Sequence, residues 1–123
     1  MRRTFALITT AAALIGGCQT TGASQPRERD ITAVLQSDDP QNIAALKAVL
    51  AQAVGRARIE LGPGDLTQTS TISVLPPPLG PNETRSPARP TQFDLVIDRG
   101  QCFVIRREDG ARFAAEGVGC RPR

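Results

Sequence analysis

Hydrophobic positions change their spacing several times along the chain, and each change marks an element. In SDDPQNIAALKAVLAQAVG they recur at three and four residues, as Ile43, Leu46, Leu50, Ala53 and Ala57, drawing one apolar stripe along a helix. Asp39 stands where an N-cap belongs, Pro40 at the first helical position and Gly55 where a terminator is expected. The pattern therefore predicts a helix over about 39–55. Before it, DITAVLQS reads as a short helical turn capped by Asp30 and carrying Ile31, Val34 and Leu35. After it the period falls to two. RARIEL sets Ala57, Ile59 and Leu61 against Arg56, Arg58 and Glu60, as in a half-buried strand. GPGD then turns the chain, and LTQTSTISVL, rich in β-branched residues, suits a second strand paired with the first.

Toward the C-terminus, TQFDLVI, QCFVIRR and ARFAAE are separated by DRG and EDG, two tripeptides ending in glycine. Three-residue hairpin loops often place their last residue in the left-handed region, which glycine reaches without steric cost. Loops of that length put Phe93 opposite Ile105 and Ile105 opposite Phe113, with Leu95, Phe103 and Ala115 in the next row. All three phenylalanines beyond the N-terminal segment then share one face, which the helix stripe would cover, while Cys102 falls on the opposite face beside Val96. The expected fold class is α+β, two layers, with the N-terminal helix on a small antiparallel sheet that ends in a three-stranded meander. Between the two groups of strands, residues 76–90 hold six of the ten prolines. They read as an extended connection that cannot enter a sheet interior.

The first residues, MRRTFALITTAAALIGGC, follow another plan: two arginines, an apolar run of about a dozen residues, then small residues and a cysteine. That is the layout of an export signal, and the run falls short of the roughly 20 residues that span a bilayer. Ile15-Gly16-Gly17-Cys18 resembles the lipobox of bacterial lipoproteins, in which an aliphatic residue and two small ones precede the cysteine. The resemblance implies that residues 1–17 are a cleaved signal peptide and that Cys18 carries a diacylglycerol thioether and an acylated amino group. An ordinary cleavable signal with a free Cys18 is the alternative. Gln19, in place of the Asp that holds such lipoproteins in the inner membrane, implies the outer membrane. Residues 18–29 are polar and read as a lipidated flexible tether, leaving 30–123 as a single domain facing the periplasm.

Removing 17 of the 123 residues leaves 106, and losing Arg2 and Arg3 lowers the formal charge from +3 to +1. With no Tyr, Trp or His and so little net charge, the mature chain lacks the basic face and stacking aromatics of a nucleic-acid binder. Assigning Cys18 to lipid leaves Cys102 and Cys120 as an even pair, a disulfide in an oxidising periplasm. A redox or metal pair is the competing reading, but the spacing is not Cys-x-x-Cys and no histidine completes a zinc site.

The absence of histidine also removes Ser-His-Asp and Cys-His catalysis. The acid pairs Asp38/Asp39, Asp94/Asp98 and Glu108/Asp109 have simpler uses as a cap, a strand edge and a turn. No catalytic residue, metal, cofactor or small-molecule substrate is inferred. Arg85 and Arg89, in the proline-rich segment, are the candidate residues for binding a partner protein of the envelope. The expectation is a non-enzymatic outer-membrane lipoprotein with a structural or accessory role. The alternative is an inhibitor of a hydrolase such as lysozyme, because DGARF faintly resembles the SGARY segment of membrane-bound lysozyme inhibitors.

Overall fold

The computed structural model describes Arg27, residues 29–85 and residues 88–123. The expected signal peptide, Cys18 and most of the expected tether lie outside the described residues. One helix packs on a six-stranded antiparallel sheet, so the α+β class holds. In chain order the elements are β1 (Ile31–Leu35), α1 (Pro40–Val54), β2 (Thr71–Val74), β3 (Thr91–Asp98), β4 (Gln101–Arg106), β5 (Arg112–Ala114) and β6 (Cys120–Pro122).

The helix forms where its signals stand. Asp39 accepts the Asn42 N–H at 2.9 Å, Pro40 opens the first turn, and Gly55 closes the last one at φ 68°. Leu46, Leu50 and Ala53 are buried on the sheet, and Asn42 joins them as a buried polar residue. Asn42 is held from both sides of its amide: Nδ2 donates to Ser37 O and Gly119 O, and Oδ1 accepts from Gly119 N at 2.7 Å. This side chain fastens the start of the helix to the C-terminal tail.

β3 is the central strand. It pairs with β4 along its length on one edge, and with β2 and the start of β1 on the other. The rest of β1 pairs with β6, so the sheet order runs β5-β4-β3-β1-β6. Residues 31–35 are thus a strand and not the expected helical turn. Five residues are too few for periodicity to decide, and the β-branched Ile31, Thr32 and Val34 gain ladder bonds on both sides. RARIEL keeps only one bridge, Leu61 with Val74, flanked by Leu75 N to Glu60 O and Gly62 N to Ser73 O. Ile59 is buried there, whereas Ala57 is exposed, and β2 takes β3 as its main partner.

The meander is present with its register moved by one residue. Asp98 pairs with Gln101, so the first hairpin has a two-residue loop, with Arg99 at φ 53° and Gly100 at φ 79°. Both are left-handed, as in a type I′ turn, whose twist matches the strands. Ile105 pairs with Arg112, and residues 107–110 make the second loop, closed by Gly110 at φ 65°. A one-residue slip exchanges faces. Phe93 and Phe113 face the helix, with ring centroids 6.5 Å apart in an edge arrangement. Phe103 lies on the other face, and Cys102, opposite Ile97, lies in the core.

The disulfide Cys102–Cys120 spans 6.3 Å between Cα atoms. It joins β4 to the tail that crosses from β5 to β6, where Gly117 adopts φ 75°.

Candidate functional surfaces

Eight-residue β3 offers alternate side chains to each face, and its outward set brings Asp94, Val96 and Asp98 to the side away from the helix. There the register sets Phe103 beside Val96 and Arg112 beside Ile105. The Arg112 guanidinium lies 4.2 Å from the centroid of the Phe103 ring. Its two terminal nitrogens donate to both Asp30 carboxylate oxygens at 2.8 Å, and one also reaches Asp98 Oδ2 at 3.3 Å. The Asp30 side chain is only 3% exposed, so this fork-to-fork pair is shielded from water. The hydrogen bonds from Arg112, more than its charge alone, hold the Asp30 carboxyl below the usual carboxylate range, and Asp30 raises Arg112 in return.

Two further arginines brace the sheet. Arg107 donates to both Asp94 oxygens, at 2.8 and 2.9 Å, and to Thr71 and Gln92, which ties the second hairpin loop across β3 to β2. Arg106 points to the helix side, grips Asp109 with two bonds and donates to Ala53 O at 2.8 Å. It satisfies a carbonyl at the C-terminal end of α1, where a cation is favoured by the helix dipole. Hydrogen bonds from Arg106 and the Ala111 N–H bring Asp109 down to about 2.

The acid pairs therefore resolve into single carboxylates with separate duties. Asp39 caps the helix, Asp94 belongs to Arg107, Asp98 to Arg112 and Asp109 to Arg106. Asp30, expected as a helix cap, is the buried partner of an arginine 82 residues away. Reading residues 31–35 as a helical turn hid that pairing. No local pattern marks it, because Asp30 and Arg112 meet only through the pairing of β1, β3, β4 and β5.

The described residues between β2 and β3 lie in neither helix nor strand, and both Arg85 and Arg89 are exposed there, as is Leu79. Two polar clefts open elsewhere. One of about 530 Å³ lies at the start of α1, bordered by Gln36, Ser37, Gln41 and Asn42. The other, of about 370 Å³, is bordered by Arg27, Arg29, Arg99 and Asp98. Among the described residues no three metal-ligating side chains come together, and no helix is long and apolar enough to cross a membrane. No family model, curated protein or solved structure matches the chain.

Proposed function

We propose that this chain is a lipid-anchored protein of the outer membrane whose domain faces the periplasm and serves an envelope assembly by binding a partner, without catalysis. The observation that carries the reading is the short apolar run ending in Ile15-Gly16-Gly17-Cys18. A multiply acylated cysteine exceeds the two chains that stable anchoring takes. The Cys102–Cys120 disulfide supports an oxidising compartment. Arg85 and Arg89, exposed on a proline-stiffened segment, supply guanidinium donors at low entropic cost. Nothing at the second hairpin favours the inhibitor reading, because Arg112 and Phe113 of DGARF are spent on the fold.

Intact mass after membrane fractionation tests the anchor. The expected product begins at Cys18, carries three acyl chains and sediments with membranes, and Cys18→Ala abolishes all three features. An unlipidated soluble product removes the reading. Crosslinking in cells tests the partner surface, with adducts expected to be lost in the Arg85→Ala/Arg89→Ala chain.

A further inference from the structure

The cleft bordered by Arg27, Arg29 and Arg99 lies where the chain from the anchor enters the domain. Arg27 is the first described residue, and Arg99 is carried there by the tip of the β3–β4 hairpin, beside the start of β1. Residues 19–26 alone separate Cys18 from Arg27. Nine residue steps from Cys18 to Arg27 reach at most about 32 Å even when fully extended, so this end of the domain stays within that reach of the bilayer surface. Two acids lie here, and both are engaged: Asp30 and Asp98 bind Arg112, and Asp30 also accepts the Arg27 N–H. Four arginines against two aspartates leave two net positive charges among these groups, or one when Glu28 is counted from the sequence.

We infer that Arg27, Arg29 and Arg99 form a docking surface for the phosphate groups of anionic phospholipids in the leaflet that holds the anchor. The inference rests on the anchored reading only for the nearness of the membrane. Each arginine brought to an anionic surface contributes about fivefold in partitioning, so the three together contribute roughly a hundredfold. The contribution fades with salt, because screening lengths shorten to a few ångströms.

The test is sedimentation of residues 19–123, which retain every described element and both paired cysteines, with vesicles of phosphatidylcholine alone or mixed with phosphatidylglycerol. Binding to the mixed vesicles only is expected, weakened about a hundredfold by Arg27→Gln/Arg29→Gln/Arg99→Gln and unchanged by Arg85→Gln/Arg89→Gln. Equal binding to both vesicle types, an unchanged triple variant or an equal loss in the Arg85/Arg89 variant would overturn it. So would displacement by inorganic phosphate at constant ionic strength, which would make the cleft a free-anion site. Since the fragment lacks Cys18, failure here leaves the anchor to be judged by its own mass measurement.

Discussion

Removing the Arg112 guanidinium while keeping its bulk, as in Arg112→Met, leaves two carboxylates facing each other on the outer face of the sheet. Asp30 is 3% and Asp98 11% exposed at the side chain, so neither regains water without moving strands β1 or β3. Breaking a shielded pair by deleting one partner costs about 3–5 kcal/mol, and the lost contact with the Phe103 ring adds about 1 kcal/mol. Because Arg112 keeps a 16% exposed side chain, the lower end of that range is appropriate, and with the ring contact we expect about 4 kcal/mol in urea unfolding with the disulfide intact. The dependence on pH gives the sharper signature. In the native chain Asp30 sits below its ordinary 3.8, so its contribution is present above that value and lost as pH falls through the lower folded value. In the variant the stranded carboxyl is raised by burial, so acidification relieves it. The gap between the two chains should therefore narrow as pH drops toward and below 4. Asp30→Asn/Asp98→Asn in the Arg112→Met background should recover part of the loss. A deficit under about 0.5 kcal/mol, constant with pH, would refute the claim that this arginine neutralises buried charge.

Arg99 occupies a left-handed position that Asn tolerates better, so Arg99→Asn should stabilise the domain by about 1 kcal/mol, seen as a higher Tm. A decrease would place the turn elsewhere. Cys102→Ser/Cys120→Ser should lower stability by about 3 kcal/mol, since the bridge closes a separation of 18 residues. Unchanged denaturation on reduction would deny the bridge a stabilising role. Asn42→Ala leaves the Gly119 N–H unpaired, while the Gly119 carbonyl keeps the Gln36 N–H; the loss should cost about 2 kcal/mol, and hydrogen exchange at Gly119, 77 residues away, should accelerate. Asp109 should half-titrate near 2 by NMR, its bonding to Arg106 persisting above that pH and lost below it, and a midpoint near 3.8 would dissolve the pair.

Helix α1 was readable because three independent signals coincide there: a cap that finds its N–H, a proline that needs none, and a glycine at φ 68°. The hairpins were readable as hairpins for a similar reason, yet their register was not. DRG and EDG each end in a glycine that suits a three-residue loop, whereas the structure also puts Arg99 in the left-handed region, a conformation non-glycine residues seldom adopt. Every consequence of the slip followed together: Phe103 moved outside, Cys102 moved inside, and Arg112 came over Phe103. β1 was illegible for a different reason. Its ladder partners, β3 and β6, lie more than 60 residues away in the chain, and no local pattern in ITAVL refers to them. The Asp partners of Arg107 and Arg112 were out of reach on the same ground, since each depends on register, whereas Arg106 and Asp109 meet within one loop.

Those pairs change what the basic residues mean. Arg106, Arg107 and Arg112 are structural, and Arg56 donates to Leu75 O, so much of the positive charge in the sequence braces the fold. The exposed arginines that carry the two proposals stand at opposite ends of β3. Arg99 follows its last residue, near Arg27 and Arg29, while the proline-rich segment with Arg85 and Arg89 leads into its first. Seven residue steps separate Thr91 from Asp98, roughly 23 Å of extended strand, well beyond a screening length at physiological salt. An anchored domain docked by its Arg99 end would thus hold the proline-rich segment away from the bilayer, toward the periplasm. The two ends should then fail separately. Arg27→Gln/Arg29→Gln/Arg99→Gln should abolish vesicle binding and spare partner crosslinks, and Arg85→Ala/Arg89→Ala should do the reverse. Loss of both properties in either variant would mean that the two surfaces are one.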